Sequence, residues 1–195
     1  MINSQILNIT RPLILVTASP ARRTLAVNTG LKFAMNTVDI DETPKEDENV
    51  VTYVERMSLE KSKAFKYPFK DALIITVDTS INLNSEIIGK PLDVDHARLI
   101  LQNLSNTTHE VVSAIVVRDS SNDKIVQETT ITKVTFDDLT KEMIDWYIST
   151  FEWKNRAGAY AIQGKGAALI KEVNGCFTNV IGISIPVLLK LLQNI

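Results

Sequence analysis

Two adjacent arginines stand where a short apolar run of the chain meets a predicted helix. The stretch is "TASPARRTL", residues 17–25, and its Ser19 is a favourable N-cap followed by a proline that suits a first helical turn. A helix N-terminus presents free backbone N–H groups and about half a positive charge, which together attract anions. Arg22 and Arg23 add cations in that turn, where they disfavour the helix unless an anion compensates them. The stretch predicts a phosphate site, and a capped helix with surface arginines is the alternative.

A lysine interrupts the apolar face of the next predicted helix. The apolar stripe passes through Val54, Met57, Ala64 and Phe65, and Lys61 lies inside it, four residues after Met57. A lysine on a buried face is costly unless its charge is paired or its end reaches a wet cleft. Lys61 is therefore a candidate for binding an anion, and extension of its side chain to the surface is the alternative.

Two carboxylates could act beside these cations. Asp78 follows the run "LIITV", whose lack of alternation indicates burial on both faces, so the pattern places Asp78 at the carboxyl end of a central strand. A carboxylate there suits a general base with a raised pKa, or a ligand of Mg²⁺; capping of the next turn is the structural alternative. Glu42, in the acidic loop 39–49, is a second candidate, although this loop also fits a solvated surface.

A lysine and an amide complete the candidate set. Lys90 lies between Gly89 and Pro91, and a tight turn explains the glycine and the proline but not the lysine. Gln163 is the sole amide of a predicted glycine-flanked strand, where a ligand can approach the backbone closely. Two arginines, two lysines and two carboxylates are together what a triphosphate with a divalent metal requires.

Alternating strands and helices must position these residues. The pattern predicts strands over 13–17, 33–38 and 72–80, helices over 20–29, 50–66 and 94–104, a hairpin turn at 84–85, long strands over 110–119 and 125–136, helices within 139–150 and 184–193, and short strands over 158–177. Strand and helix alternate in the first half, and paired strands follow. The fold class is therefore α/β with a mixed sheet flanked by helices.

Composition narrows the class of protein. A chain of 195 residues suits one compact domain, or two lobes around a cleft. The net charge of -2 argues against a nucleic-acid binder, so any basic site must be local. Cys176 is the only cysteine, which excludes an internal disulfide and suits a reducing compartment. With no run of about 20 apolar residues and no basic start to the chain, we expect a cytoplasmic protein without a membrane segment.

A series of motifs in one order resembles the Maf-like nucleoside triphosphate pyrophosphatases. They are "TASPARR", "DIDET", "ERMSLEKSKA", "ITVDTSINLNSEIIGKP", "ARLILQNLSNTTHEV", "VTF", "AGAYAIQG" and "EVNGCFTNVIGISIP". The resemblance extends from Leu13 to about Leu192. It implies one Maf-like domain over residues 1–195, with two lobes around a substrate cleft, a fold similar to that of the inosine triphosphatases, and a homodimer.

The resemblance also implies roles for individual residues. Contacts to phosphate and substrate are implied for Ser19, Arg22, Lys61, Lys90 and Gln163. We expect Arg23 to bind phosphate as well, and Lys61 to act with Glu42 and Asp78 in catalysis. Glu42 and Asp78 match acidic positions that serve metal and base chemistry, with Mg²⁺ or Mn²⁺ as the cofactor. The implied reaction is attack of water on the α-phosphorus, which yields a nucleoside monophosphate and pyrophosphate.

The chain departs from the family pattern at two places, one of which bears on specificity. Ala21 stands where the family most often has its first arginine, so Arg23 either takes that place or faces solvent. The resulting Ser-Pro-x-Arg-Arg form resembles the branch that acts on 7-methyl-GTP, whereas "AGAYAIQG" resembles the branch that acts on dTTP, UTP and sometimes CTP. Thr76 and Val77 replace a Gly-Ala pair before Asp78 and narrow the space beside it.

These observations predict a pyrophosphatase for dTTP-type and UTP-type nucleotides, including CTP or modified pyrimidines. Hydrolysis of 7-methyl-GTP is the first alternative. A non-catalytic nucleotide-binding regulator of cell division is the second, and a scaffold whose charges only solvate a cleft is the third.

Overall fold

A seven-stranded mixed β-sheet organises the chain. The computed structural model describes residues 9–68 and 71–195, so the expectation drawn from the start of the chain lies largely outside the described residues. The strands are β1 (Leu13–Val16), β2 (Phe33–Asn36), β3 (Leu73–Leu83), β4 (Glu86–Ile88), β5 (Thr108–Asp119), β6 (Ile125–Phe136) and β7 (Ile170–Asn174). The α-helices are α1 (Pro20–Asn28), α2 (Val50–Ala64), α3 (Val94–Leu104), α4 (Lys141–Ser149), α5 (Phe177–Ile181) and α6 (Ile185–Asn194). The predicted fold class is confirmed.

The sheet combines a parallel half and an antiparallel half. Its strand order is β2-β1-β3-β5-β6-β7, with β4 paired to β3. β1 runs parallel to both neighbours, and all four of its residues are buried, as expected for a parallel strand covered on both faces. The remaining pairings are antiparallel and join β3, β5, β6 and β7 in a continuous ladder. β3 is the strand shared by both halves.

One edge of β3 is open between two partners. β1 pairs with β3 up to Thr76, and β4 pairs with it from Ile81 onward. β5 occupies the opposite edge continuously from Leu73 to Asn82. In the described part of the chain, residues 77–80 therefore have no strand beside them on the β1 edge. A gap of this kind leaves backbone groups free to bond with side chains or a ligand.

Two large clusters of buried apolar side chains pack against the two ends of β3. One includes Leu15, Ile75, Ile115 and Leu188, and the other includes Ile81, Leu101, Leu104, Phe136 and Tyr147. Helix α2 packs against β3 and β5 through its own cluster, which contains Tyr53, Val54 and Met57. The open stretch of β3 lies between the two large clusters. A division of the domain into two lobes stays a prediction.

Local signals gave most element boundaries. Ser19, Asp93 and Thr140 each cap the helix that follows, and the side chain of each accepts a bond from the backbone N–H three residues on. Asn84 and Ser85 both have positive φ, at 53° and 70°, and form the predicted hairpin turn. Helix α3 and strand β6 have the predicted bounds. Within residues 9–68 and 71–195, no helix is long and apolar enough to cross a membrane.

The segment over 158–177 contains one of its predicted short strands, β7, but is otherwise predicted wrongly. Instead of short strands it forms two 3₁₀ helices, Ala157–Ala159 and Gly164–Leu169, before β7, and α5 was missed. Gly158 and Gly164 adopt φ of 69° and 77°, a left-handed conformation that interrupts extended backbone. The glycines that suggested breaks between strands thus mark turns between short helices.

Three smaller expectations also need correction. β3 continues to Leu83 instead of ending near Asp78, because its antiparallel pairing with β5 extends past the end of β1. The apolar face of α2 includes Ser58 and Ser62, whereas Ala64 is exposed at the end of the helix. Strand β2 ends at Asn36, two residues before its predicted end.

Candidate active site

A cavity of about 730 Å³ lies at the open edge of β3, beside residues 77–80. Its wall is formed by the end of β1, the first turn of α1, the acidic loop, α2, the turn after β4 and the segment over 154–163. Seven of the predicted site residues line it: Ser19, Arg22, Glu42, Lys61, Asp78, Lys90 and Gln163. Residues that are up to 144 positions apart in the sequence, such as Ser19 and Gln163, are therefore brought to one cavity.

Lys61 connects the two carboxylates of the cavity. Its Nζ atom lies 2.6 Å from Oδ1 of Asp78 and 2.7 Å from Oε1 of Glu42. The side chain of Lys61 is 12% exposed and that of Asp78 is 10% exposed. Lys90 contacts the other oxygen of Glu42 at 3.1 Å. Lys61 is thus held in a buried ion pair with Asp78 and a more exposed one with Glu42, and does not extend to bulk solvent.

The two carboxylates have opposite electrostatic environments. Burial raises the pKa of Asp78, although the positive charges of Lys61 and Arg22 oppose that change. Burial also acts to raise the pKa of Glu42, but hydrogen bonds and charges from Lys61 and Lys90 prevail and lower it to about 2. Glu42 is therefore a fixed anion at neutral pH, whereas Asp78 is the better proton acceptor.

Helix α2 holds the acidic loop in place. The hydroxyl of Tyr53 donates to the carbonyl of Glu42 at 2.9 Å, and Arg56 donates to the carbonyl of Thr43 at 3.1 Å. Arg56 also forms an ion pair with Glu48 at 2.5 Å. The acidic loop, for which a solvated surface was the alternative prediction, is consequently anchored, with Glu42 turned toward the cavity.

Arg22 fills the open edge of β3. Its Nη1 donates to the carbonyl of Val77 at 3.1 Å, its Nη2 to Oγ1 of Thr79 at 2.8 Å, and its Nε to the carbonyl of Gly182 at 2.7 Å. Burial lowers the pKa of Arg22, against the effect of the negative charges of Asp78 and Glu42. Of the five N–H donors of a guanidinium, these three bonds leave two available to a ligand.

Ser19 acts in the first place as a helix cap. Its Oγ accepts a hydrogen bond from the backbone N–H of Arg22 at 3.4 Å, and its own N–H donates to Oγ1 of Thr17 at 3.1 Å. This places the N-terminus of α1 at the cavity wall. The helix terminus and Arg22 therefore both lie at the cavity wall, with Arg22 bonded to the protein, and anion binding there stays a prediction.

Arg23 is the member of the predicted set that the structure does not bring into the cavity. Its Nε and Nη2 both donate to the carbonyl of Thr17, at 3.1 and 2.8 Å. It is half-buried, so it neither takes the place of the missing arginine nor faces bulk solvent. Ala21 is buried against Ile162 and Ile181, where a longer side chain would displace its neighbours.

Gln163 lies at the rim of the cavity in a turn, not in the predicted strand. It is exposed and directly precedes the second 3₁₀ helix. The carboxylate of Glu152 accepts from the backbone N–H of Lys165 at 2.9 Å and of Gly166 at 3.3 Å. Glu152 therefore fixes the turn that presents Gln163.

Comparison with known proteins identifies the family. The sequence profile described as Maf-like protein matches residues 12–195. The chain belongs to the Maf-like family. A protein of Pyrococcus furiosus named dTTP/UTP pyrophosphatase is 38% identical to this Maf-like chain over 186 residues, covering 94% of this chain and 95% of the relative.

Further relatives carry the same name. The dTTP/UTP pyrophosphatase of Pelotomaculum thermopropionicum is 36% identical over 183 residues, covering 94% of this Maf-like chain and 96% of the relative. That of Myxococcus xanthus is 35% identical over 181 residues, covering 93% and 91%. A solved structure of a HAM1 protein from Coxiella burnetii overlaps less closely, with a TM-score of 0.45 and 13% identity over 68% of this chain and 76% of that one.

Sequence reasoning missed several residues of the Maf-like cavity. Lys154, Arg156 and Tyr160 line it, as does Thr79, whose hydroxyl accepts from Arg22 and donates to the carbonyl of Gly182 at 3.1 Å. A signal existed for Arg156, since it directly precedes the "AGAYAIQG" motif. No sequence signal connected Gly182 to the site, because its contribution is a backbone carbonyl.

The donor set of the Maf-like cavity is compatible with Mg²⁺ only together with a ligand. Among the described residues, no three His, Cys, Asp or Glu side chains are grouped as a metal site. Glu42 and Asp78 supply carboxylate oxygens within reach of one lysine. Mg²⁺ is commonly held by one or two carboxylates plus the phosphates of a substrate and water. The two carboxylates therefore fit a metal that arrives with a triphosphate.

Proposed function

We propose that this protein is a nucleoside triphosphate pyrophosphatase that hydrolyses dTTP and UTP to the monophosphate and pyrophosphate. The observation that carries the proposal is the buried carboxylate of Asp78, held by Lys61 at 2.6 Å in a cavity rich in cations. Support for the substrates comes from relatives named dTTP/UTP pyrophosphatase that align over nearly the whole chain.

The proposed step is an attack of water on the α-phosphorus. Asp78 orients the water and takes its proton, for which a raised pKa is suited. A P–O bond to the water oxygen forms while the bond from the α-phosphorus to the bridging oxygen breaks, and pyrophosphate leaves with the bonding electrons. Lys61 keeps Asp78 in place, and the cavity cations stabilise charge on the phosphoryl oxygens.

Glu42 and Asp78 are the residues that would hold a divalent cation, Mg²⁺ or Mn²⁺. When bound, the ion neutralises charge on the phosphoryl oxygens and helps to orient them. Lys61 contributes a fixed charge between the two carboxylates, which limits their mutual repulsion. Removal of divalent ions with a chelator should abolish turnover, and Mg²⁺ should restore it.

The decisive experiment is pyrophosphate release from a panel of triphosphates. The purified protein should act on dTTP and UTP, with CTP, pseudouridine and 5-methyluridine triphosphates as further candidates. 7-methyl-GTP belongs in the panel because the Ser-Pro-Ala-Arg-Arg sequence around Ala21 resembles the branch that acts on it. If no member releases pyrophosphate with Mg²⁺ or Mn²⁺ present, the proposal is overturned. A preference for 7-methyl-GTP would show that the protein is a pyrophosphatase whose substrate is not dTTP or UTP.

We also propose that the protein works as a homodimer in the cytoplasm, as the family resemblance implies. Light scattering on the eluted protein should give about twice the mass of the 21.7 kDa chain. Fractionation of cells that express the tagged chain should place it with soluble cytoplasmic markers. A monomer mass at micromolar concentration would contradict the first part.

A further inference from the structure

The cations of the cavity differ in whether the protein already engages them. Arg22 bonds two carbonyls and a hydroxyl, Lys61 pairs with both carboxylates, and Lys90 pairs with Glu42. The Nζ atom of Lys154 lies 4.7 Å from the ring centroid of Phe151. Each of these four cations has a partner in the folded chain.

Arg156 is different. Its side chain makes no hydrogen bond or ion pair within residues 9–68 and 71–195, although it lines the cavity and is half-buried. A partly buried guanidinium without an anion is unfavourable, and an anionic ligand would remove that cost. Its five N–H donors form a planar fork that matches two phosphate oxygens.

The backbone around Arg156 is fixed. Gly158, two residues later, adopts φ of 69° and its N–H donates to the carbonyl of Gly89 at 3.1 Å. A Cβ atom at Gly158 would lie 2.1 Å from Cδ1 of Ile81, so the turn packs directly on β3. Because Gly89 precedes Lys90, this bond holds the segments that carry Arg156 and Lys90 next to each other. The backbone that carries Arg156 is therefore held beside the segment of another phosphate-binding candidate, Lys90.

The charge of the cavity favours a highly anionic ligand. Five cations and two carboxylates line it, whereas the whole chain has a net charge of -2. The carboxylates are matched by Lys61 and Lys90, which leaves the two guanidiniums and Lys154 as excess positive charge. Burial lowers the pKa of Arg22, and the negative charges of Asp78 and Glu42 oppose that change. The positive charge of Arg156 is a further, smaller cause that lowers it. The two guanidiniums thus share one electrostatic region.

From this arrangement we infer that Arg156 binds the β- and γ-phosphates of the triphosphate. The inference rests on the proposed function, in which Asp78 and Lys61 mark the position of the α-phosphorus. The two outer phosphates then need cations that the carboxylates do not already neutralise, and Arg156 meets that condition. Since the leaving pyrophosphate gains negative charge as the P–O bond breaks, the same contact stabilises the transition state.

The test compares Arg156→Ala and Arg156→Lys with a matched control, Arg98→Ala. Arg98 pairs with Asp145 outside the cavity, so its removal deletes an equal charge elsewhere. We expect Arg156→Ala to lower kcat/KM for dTTP by about 10- to 100-fold, as for loss of a charged hydrogen bond, and Arg156→Lys to recover part of it. Arg98→Ala should stay within twofold of the wild type, and thermal unfolding should show that all three variants fold.

Binding measurements assign the contact to the outer phosphates. Calorimetry with α,β-methylene-dTTP, which is not cleaved, should show weaker binding to Arg156→Ala, whereas binding of dTMP should be unchanged. Equal weakening for both ligands would overturn the inference and assign Arg156 to the nucleoside or the α-phosphate. Activity of Arg156→Ala within twofold of an active wild type would also overturn it.

The proposed function and this inference fail in different ways. If the wild-type protein releases no pyrophosphate from any triphosphate, the proposed function fails. Binding of inorganic tripolyphosphate to the wild type and to Arg156→Ala then still tests the inference. Weaker binding to the variant supports a polyphosphate contact at Arg156, and equal binding to both proteins would overturn the inference.

Discussion

The ammonium of Lys61, on α2, donates to the carboxylate of Asp78, on β3, at 2.6 Å. Both side chains are about nine-tenths buried, and both line the cavity. Burial acts against the charge of each group, and their contact offsets that cost. This pair connects the stability of the fold with the chemistry proposed for the cavity, because Lys61 positions the proposed base and Asp78 in turn neutralises the buried charge of Lys61.

Replacing Asp78 by Asn should strongly lower turnover without abolishing nucleotide binding. General base catalysis contributes about 10²- to 10⁴-fold, so kcat for dTTP should fall by that amount. The amide keeps the size of the side chain and can still accept from Lys61. Stopped assays of pyrophosphate release give kcat, and calorimetry with α,β-methylene-dTTP gives binding. Asp145→Asn, outside the cavity, is the matched control. Turnover at the wild-type rate in Asp78→Asn would show that Asp78 is not the general base.

Replacing Lys61 by Met should lower the free energy of unfolding, and the loss should depend on pH. Removing one partner of a buried pair costs about 3 kcal/mol or more, because the other charge is left unpaired. Without Lys61 the pKa of Asp78 rises further, since burial then acts with less opposition. Between its unfolded and folded pKa values the folded carboxyl binds more protons than the unfolded one, so stability falls as pH rises.

Urea denaturation at pH 4.5 and pH 8 measures this dependence. The difference in stability between wild type and Lys61→Met should be smaller at pH 4.5 than at pH 8. Lys63→Met is the control, because Lys63 is exposed on the same helix. A difference that is the same at both pH values would show that the loss does not come from an unpaired carboxylate.

Replacing each of the two adjacent arginines by Ala should lower kcat/KM to very different extents. Arg22→Ala removes bonds to Val77, Thr79 and Gly182, which hold the cavity wall, so kcat/KM should fall by about 100-fold. Arg23→Ala removes only the bonds to the carbonyl of Thr17, so kcat/KM should stay within about threefold. Steady-state kinetics on dTTP distinguishes them. A large loss in Arg23→Ala would return it to the phosphate site implied by the sequence.

His109 should make the protein less stable in mild acid. It is 1% exposed, its Nε2 lies 2.8 Å from the hydroxyl of Tyr160, and burial lowers its pKa to about 4. Because the folded state binds the proton less readily than the unfolded one, its contribution is present above pH 6.5 and is lost as pH falls to about 4. The gap between those values corresponds to at most about 3 kcal/mol.

The free energy of unfolding at pH 7 and pH 4.5 tests this expectation. His109→Gln should show a smaller decrease between the two pH values than the wild type. Tyr160→Phe removes the hydrogen bond but keeps the histidine buried, so it should retain the wild-type decrease. Equal decreases in wild type and His109→Gln would assign the acid sensitivity to other groups.

Interactions between close neighbours in the chain could be predicted from the sequence. The caps at Ser19, Asp93 and Thr140 each bond a backbone N–H three residues away, so a short window contains both partners. The unbroken apolar run before Asp78 likewise predicted the burial of β3 on both faces. The misplaced lysine on the apolar face of α2 pointed to a buried charge, although not to its partners.

The sequence by itself determined most of the element types, the family and most of the cavity cations. Only the tertiary structure decided which cations are free, because the partners of Arg22 lie 55 to 160 residues away and its bonds depend on where β1 stops pairing with β3. The same holds for Arg23, which is identical in type to Arg22 and adjacent to it but points to a local carbonyl. Residue type and spacing specify what a side chain can bind, whereas long-range packing decides whether the protein has already bound it, as with Lys61, or has left it available, as with Arg156.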